Sequence, residues 1–262
     1  TTTGAPTTTS PTSTEALPLR PPLPAVTTTA PPPPPGPVVV VYGDSLVWEA
    51  RSAIRELLRG PNPARVEALG GAALCDFSNR IVENARTEPT RMVVIAFSGN
   101  TLTTCARRLG PSPTAAQVAA MYAADLDWVV GHLRALGIPV LLVGSPPSIG
   151  LDGVSFWTPI NAAWQDAAAR WSAQGAAVSY ADAGGALSDG AGQWTGTLPC
   201  LPFEDATRGC SGGVIAVRAP DTGHFCPQLG PVRDGVAPEC AVWSSGAWRY
   251  GRAIAHAVQQ RL

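Results

Sequence analysis

Ser45 and His224 are the residues whose types could carry nucleophilic chemistry, provided that the fold brings them together. Ser45 follows the four-valine run Val38–Val41, and such a run predicts a strand buried on both faces. Glycine, aspartate and serine are also ordinary turn and capping residues, so this stretch alone fits a plain turn equally well. A serine nucleophile needs a general base, and His224 lies in a predicted loop. Asp221 could accept the Nδ1 proton of His224 and leave Nε2 free for the Ser45 proton, which would make a Ser-His-Asp triad.

The elements that must position these residues alternate along the chain. Helical patterns separate most of the predicted strands, which cover residues 38–42, 65–69, 91–97, 139–143 and 177–180. The helical patterns cover residues 47–59, 114–136, 159–174 and 245–261. This rhythm predicts right-handed crossovers and a doubly wound, flavodoxin-like α/β fold, with five parallel strands and helices on both faces in three layers. Residues 184–242, rich in glycine and proline, predict a long loop region.

In a doubly wound sheet, ligands bind beyond the carboxyl ends of the strands. Ser45, the pair Gly70-Gly71 and Asn100 follow the first three predicted strands. His132 and His256 fall inside helical patterns, where we expect roles in the core or on a helix face. His224 is therefore the histidine placed as a catalytic base would be.

Four short motifs, in chain order, resemble the four sequence blocks of the SGNH hydrolases, also called GDSL esterases. They are Gly43-Asp44-Ser45-Leu46, Gly71, Asn100 and Asp221-x-x-His224, and the resemblance spans residues 38–262. The third block departs from the family's usual Gly-x-Asn-Asp, because it reads Ser98-Gly99-Asn100-Thr101. Either Gly70 or Gly71 could supply the second-block glycine, and we choose Gly71.

The resemblance implies a reaction and a role for each matched residue. Ser45 would be the nucleophile, His224 the general base, and Asp221 the group that orients the histidine. The oxyanion would be bound by the backbone N–H groups of Ser45 and Gly71 and by the side-chain amide of Asn100. No metal or organic cofactor would be needed.

The cysteines predict disulfides in an oxidising compartment. Six are present, they form no CxxC pair, and the chain has only three histidines, so a zinc site is a poor explanation. An even number in loop-like surroundings predicts three disulfides, for which the sequence leaves 15 connectivities open. Pairing neighbours along the chain would give Cys75–Cys105, Cys200–Cys210 and Cys226–Cys240.

Composition limits the class of protein and its partners. The 262 residues carry a formal net charge of -1, so there is no basic field for nucleic acid or for an anionic membrane. The apolar runs are far shorter than the about 20 residues of a membrane helix. Residues 1–37, rich in Thr and Pro, predict a disordered tether, and residues 38–262 predict one domain. We expect a monomer that is secreted or associated with the cell envelope, and whether an anchor precedes Thr1 stays open.

The substrate is the least constrained part of the prediction. Four tryptophans fall near loops predicted on the active face and could stack on sugars, although ordinary core or loop packing is the interpretation that we favour: Trp48, Trp157, Trp194 and Trp243. The leading hypothesis is a carbohydrate O-acyl esterase that removes short acyl groups such as acetyl. The alternatives are a lipid or lysophospholipid esterase, an acyltransferase acting on a glycan, and a binding module that kept the fold without the activity.

Overall fold

The structure is a computed structural model that describes residues 37–149, 157–230 and 239–262. The predicted tether, apart from its last residue, lies outside the described residues. No helix in these ranges is both long and apolar enough to span a bilayer.

The predicted parallel sheet is confirmed. Five parallel strands lie in the order β2-β1-β3-β4-β5, with the pairing Val41–Val66 on one side of β1 and Val41–Val94 on the other. Their bounds are β1 Val38–Gly43, β2 Ala64–Ala68, β3 Thr90–Ala96, β4 Val140–Val143 and β5 Val178–Ala181. The carboxyl ends of β1 and β3 are therefore adjacent, which brings the segments after them together.

In the described part of the chain, five α-helices cover the two faces of the sheet. Their bounds are α1 Ser45–Leu57, α2 Leu74–Thr87, α3 Ala115–Ala135, α4 Trp157–Ala173 and α5 Ser245–Gln259. Helices α1 and α5 pack together over one face, and α2, α3 and α4 pack side by side over the other. The three-layer α/β/α prediction is thus confirmed.

The valine run of β1 supplies both layers of the core. Val39 and Val41 pack in the cluster beneath α1 and α5, whereas Val40 and Tyr42 pack in the cluster beneath α2 and α3. All four side chains are at most 1% exposed. The run is continuously apolar because a central parallel strand has no solvent face.

Helix α2 is missing from the predicted elements, although its sequence carries a helical signal. Its buried residues Leu74, Phe77, Ile81 and Ala85 recur at helical spacing. Asp76 also accepts a hydrogen bond from the Ala73 backbone N–H, at 2.8 Å, at the start of the helix. The helix completes the crossover from β2 to β3.

The long region 184–242 contains more structure than its composition predicts. It holds a two-stranded antiparallel ribbon of β6 Thr197–Pro199 and β7 Val214–Ala216, together with two of the three disulfides. Of the connectivities that the sequence leaves open, the structure has the one that pairs neighbours along the chain: Cys75–Cys105, Cys200–Cys210 and Cys226–Cys240. The last two bonds stabilise a stretch that has little regular secondary structure of its own.

Candidate active site

Ser45 follows a strand end at which only glycine fits. A Cβ at Gly43 would lie 2.6 Å from the Ala96 carbonyl oxygen and closer still to the Val47 side chain, so no larger residue fits there. Asp44 is the N-cap of α1, and its carboxylate accepts from the Leu46 backbone N–H at 3.1 Å. Ser45 is consequently the first residue of the helix, where the positive end of the helix dipole favours a developing negative charge.

The structure brings Ser45, His224 and Asp221 into one hydrogen-bonded line, although 179 positions separate Ser45 from His224. His224 Nε2 lies 3.1 Å from Ser45 Oγ, and His224 Nδ1 lies 2.8 Å from Asp221 Oδ2. Asp221 Oδ1 also accepts from the backbone N–H groups of Gly223 and His224, both at 2.8 Å. The aspartate therefore fixes both the ring and the backbone of the histidine.

The electrostatics of the pair suit a general base. Burial tends to lower the pKa of His224, but the hydrogen bond to Asp221 and the negative charges of Glu49 and Asp221 outweigh it and raise the pKa above its ordinary value. Burial tends to raise the pKa of Asp221, and the hydrogen bonds from His224 reverse this and hold the pKa below its ordinary value. Asp221 thus stays ionised while His224 exchanges a proton.

Asp44 joins the serine turn to the loop after β3. It is fully buried, and its Oδ2 accepts from the Ser98 backbone N–H at 2.7 Å, from the Ser98 hydroxyl at 2.6 Å and from Asn100 Nδ2 at 3.1 Å. Burial raises the pKa of Asp44, and the hydrogen bonds from Ser98 oppose that effect. The carboxylate is therefore a structural anchor and does not face the reacting atoms. Ser98, one of the two residues by which the third block departs from the family pattern, contributes two of these donors.

Asn100 and Gly71 are the residues expected to complete an oxyanion hole with Ser45. Asn100 shares a cavity with Ser45 and His224. One amide hydrogen of Asn100 is directed to Asp44, which leaves the second free to point elsewhere. Gly71 has a φ of 73°, in the left-handed region, and a Cβ at this position would lie 3.5 Å from the Leu102 side chain, in the segment after Asn100. Gly70, rather than Gly71, lines the larger cavity beside Ser45, so the choice between the two glycines stays a prediction.

Two cavities flank the Ser45–His224 pair. The larger, about 420 Å³, is lined mainly by apolar groups, among them Trp48, Pro227 and Leu229. The smaller, about 180 Å³, lies on the Asn100 side and is bounded by Ser148 and Ile149. Since an ester has two arms, one on each side of the carbonyl carbon, the pair of cavities can hold both while the carbon lies at Ser45 Oγ.

Two further residues support the histidine loop, and sequence reasoning missed both. Glu49, one turn after Ser45 on α1, accepts from the Phe225 backbone N–H at 2.6 Å, and burial raises its pKa to about 7. Arg218 is buried, and it donates to the carbonyl oxygens of Pro147 at 2.7 Å and Gly223 at 3.4 Å. Burial lowers the pKa of Arg218 to about 10. The helical spacing of Ser45 and Glu49 was the only available signal for either residue.

Glu49→Gln is expected to move the acid limb of kcat/KM to lower pH. A general base acts in its neutral form, so a raised pKa keeps His224 in the inactive protonated form up to higher pH. Glu49, whose own pKa is about 7, raises the histidine pKa when it is ionised. Glutamine cannot carry that charge, so one cause of the rise is removed, while the glutamine oxygen can still accept from Phe225. A pH–rate profile on a soluble ester measures the shift, with Glu56→Gln, two turns farther along α1, as the matched control. An unmoved acid limb would contradict the electrostatic role of Glu49.

The Cys75–Cys105 disulfide ties the start of α2 to the loop that follows Asn100. It closes a loop with a sequence separation of 30, for which the chain-entropy treatment gives roughly 3–4 kcal/mol of stabilisation. The double variant Cys75→Ser/Cys105→Ser is expected to lose kcat at temperatures well below its lowered Tm, because the loops of Gly71 and Asn100 lose their covalent link.

The matched control for that variant is Cys200→Ser/Cys210→Ser, which removes a disulfide from the β6–β7 region. It should lower Tm while leaving kcat near its original value. Thermal unfolding and single-temperature kinetics on both variants provide the measurements. Full kcat in folded Cys75→Ser/Cys105→Ser protein would show that the bond stabilises the fold without aligning the site.

The four tryptophans predicted near the active face have different surroundings. Trp48 lines the larger cavity beside Ser45, and Trp157 lines another cavity beyond β4 and β5. Trp194 donates its ring N–H to the Thr222 carbonyl at 2.7 Å and so braces the histidine loop. Trp243 packs with Phe203 and Trp248 in an aromatic cluster, which is a packing role.

His132 and His256 lie on α3 and α5, as the helical patterns predict.

Solved structures share this fold over most of their length. A GDSL-like lipase from Bacteroides thetaiotaomicron superposes with a TM-score of 0.52 at 12% identity, over 86% of this chain and 89% of its own. A protein described as an acylhydrolase, from Bacteroides fragilis, superposes with a TM-score of 0.51 at 14% identity, over 86% of this chain and 90% of its own. No protein-family model matches the chain, and no curated protein matches it either. The chain therefore has the three-layer α/β/α fold found in a GDSL-like lipase and an acylhydrolase.

Proposed function

We propose that the chain is a serine ester hydrolase of the SGNH type. The observation that carries the proposal is the line Ser45 Oγ, His224 Nε2, His224 Nδ1, Asp221 Oδ2, with spacings of 3.1 and 2.8 Å across its two hydrogen bonds. A nucleophile within hydrogen-bond reach of a base, which is itself oriented by a third group, is the arrangement that covalent hydrolysis needs. The four sequence motifs and the shared fold agree with this reading.

In the first half of the reaction, Ser45 forms an acyl-enzyme. His224 Nε2 takes the hydroxyl proton as Ser45 Oγ attacks the ester carbonyl carbon, and the carbonyl oxygen becomes an oxyanion. The Ser45 N–H at the helix start, the Asn100 amide and a glycine N–H after β2 stabilise that charge. The bond to the alcohol oxygen then breaks, and His224 returns its proton to the departing alcohol.

In the second half, water releases the acyl group. His224 takes a proton from a water molecule as the water oxygen attacks the acyl carbon, and a second oxyanion forms in the same place. The bond to Ser45 Oγ breaks, the serine recovers its proton from His224, and a carboxylic acid leaves. Asp221 stabilises the imidazolium in both halves and remains ionised throughout.

The proposed location is outside the cytoplasm. Three disulfides support it, because bonds of this kind persist in oxidising compartments. A Thr/Pro-rich segment before the domain fits an extended spacer that carries the domain away from a surface.

The proposed substrate is a carbohydrate that carries short O-acyl groups. The smaller cavity on the Asn100 side carries polar groups on its walls, among them Ser98, Asn100 and Thr222, which suits a sugar alcohol. The mainly apolar cavity beside Trp48 can hold a short acyl arm. One observation favours a second candidate, a lipid ester. The larger cavity is mainly apolar and includes Leu229, which is 58% exposed, so it could instead receive a longer acyl chain.

An ester panel separates these candidates. It should run from p-nitrophenyl acetate to p-nitrophenyl palmitate and include an acetylated polysaccharide, each with and without a free sugar as acceptor. Highest kcat/KM on the acetyl esters and release of free acetate support the carbohydrate esterase. A preference for long chains supports the lipid esterase, and acyl transfer to the added sugar supports a transferase. No turnover of any ester by folded protein would overturn the proposal.

A further inference from the structure

A third cavity lies at the same edge of the sheet as Ser45, at the carboxyl ends of β4 and β5. We name it the β4–β5 cavity; its volume is about 250 Å³, and its walls include Ser145, Trp157, Asn161, Gln165, Tyr180 and Asp182. The proposed ester hydrolysis uses none of these residues. In the sheet order, β4 is two strands away from β1, a separation of about 10 Å.

Ser145 indicates that the β4–β5 cavity is built for a ligand. The residue is 2% exposed, and within the described ranges its hydroxyl has no hydrogen-bond partner. A buried hydroxyl without a partner is costly, and native structures seldom keep one without a use. Its backbone, in contrast, is fully engaged, because the N–H donates to Asn161 Oδ1 at 2.7 Å and the carbonyl accepts from Asn161 Nδ2 at 2.9 Å.

The other walls define the chemistry of that ligand. Trp157, half-buried at the first residue of α4, offers a flat apolar face. Asp182 accepts from the Gly185 backbone N–H at 3.0 Å, so this carboxylate is held in place. Among the described residues that line the cavity there is no lysine, arginine or histidine, which disfavours an anion. An aromatic face opposed by fixed hydroxyl, amide and carboxylate groups suits a neutral, polyhydroxylated ring.

One segment forms a wall of both sites. Ser145 and Pro147 line the β4–β5 cavity, and the next two residues, Ser148 and Ile149, line the smaller cavity beside Ser45. The buried Arg218 fixes this segment through the Pro147 carbonyl and, through the Gly223 carbonyl, also holds the histidine loop. A chain-like ligand that leaves the catalytic cavity on the Asn100 side is therefore led toward the β4–β5 cavity.

We propose that the β4–β5 cavity is a saccharide subsite, with Trp157 as its stacking platform and the Ser145 hydroxyl as a hydrogen-bonding group. It holds a sugar unit of an oligosaccharide or polysaccharide whose acylated unit lies at Ser45. The alignment with Ser45 rests on the proposed hydrolase function, whereas saccharide binding by the cavity does not depend on catalysis.

Calorimetric titration of the full chain with unacylated oligosaccharides tests the binding directly. Cellotetraose, xylotetraose and chitotetraose are the probes, and the protein is the Ser45→Ala variant, so turnover plays no part. At least one probe is expected to bind, and Trp157→Ala should raise its Kd about tenfold or more, as the loss of a buried aromatic anchor does. Gln165→Ala, at an exposed position, should weaken the same probe several-fold. Trp128→Ala, which removes an exposed tryptophan from α3, is the matched control and should leave Kd unchanged.

The outcomes separate this inference from the proposed function. Absence of binding by all three probes, or equal Kd in the Trp157→Ala and parent proteins, would overturn the saccharide subsite even if ester hydrolysis is observed. Saccharide binding that depends on Trp157, in a protein that hydrolyses no ester, would uphold the subsite and overturn the hydrolase. If both hold, Trp157→Ala should raise KM for an acetylated oligosaccharide and leave kcat/KM for p-nitrophenyl acetate unchanged.

Discussion

Ser45→Ala is expected to lower kcat for ester hydrolysis by about 10⁴-fold or more, because no other group can form the acyl-enzyme. The serine hydroxyl makes one hydrogen bond, to His224 at 3.1 Å, and the residue is half-buried at the start of α1. Its removal should therefore change the free energy of unfolding by no more than about 0.5 kcal/mol. The loss of rate would then come from chemistry and not from unfolding.

Steady-state kinetics with p-nitrophenyl acetate, together with thermal unfolding, measure both quantities. Ser78→Ala is the matched control, because Ser78 lies on α2 and its hydroxyl only donates back to the Leu74 carbonyl. That variant should keep its full rate. If Ser45→Ala retained more than a small fraction of the parent rate, Ser45 would not be the nucleophile, and the line of His224 and Asp221 would need another substrate-facing partner.

The serine and the histidine loop could be predicted because their signals are local. A buried strand, a glycine, a cap and a serine are contiguous in Val38–Ser45, and Asp221 lies within one turn of His224. The sheet order places Ser45 at the centre of the ligand-binding edge, because it follows the carboxyl end of β1. Local motifs therefore identify the reacting groups, whereas tertiary packing brings the histidine loop to the serine.

Glu49 and Arg218 could not be predicted, because their partners are set by tertiary packing. Glu49 accepts from Phe225, 176 positions away, and Arg218 reaches Pro147, 71 positions away. Neither partner contributes a side chain to the contact: one is a backbone N–H and the other a backbone carbonyl. The residue types of the two partners therefore do not indicate these hydrogen bonds. Only the packed structure shows that Glu49 and Arg218 support the histidine loop.

The strands β6 and β7 were missed for a different reason. Each has three residues, too few for the alternation of apolar and polar residues that marks a strand. The ribbon exists because the strands pair with each other and the Cys200–Cys210 bond closes the connection between them. The disulfide stabilises two strands that lack an alternating hydrophobic pattern. Because sequence analysis depends on that pattern, the composition predicted a loop.

Asn100→Ala is expected to lower kcat by about 10²–10³-fold with little change in KM. The Asn100 side chain is oriented by Asp44, which takes one amide hydrogen at 3.1 Å, so the other donor is fixed before substrate arrives. A preorganised donor stabilises the oxyanion of the transition state strongly, because negative charge has developed on the oxygen that it faces. It stabilises the neutral carbonyl of the ground state far less. The loss should therefore fall on kcat.

The variant tests this role and not merely the stability of the loop. Asp44 keeps its hydrogen bonds from Leu46 and from both donors of Ser98 when the amide is removed. The free energy of unfolding should therefore decrease by about 1 kcal/mol. Asn62→Ala is the matched control, since Asn62 lies before β2 and accepts from Arg91 on the surface. Kinetics across a range of p-nitrophenyl acetate concentrations separate kcat from KM. A rise in KM at constant kcat would place Asn100 in ground-state binding, and the oxyanion would then depend on the backbone N–H groups of Ser45 and the glycine pair alone.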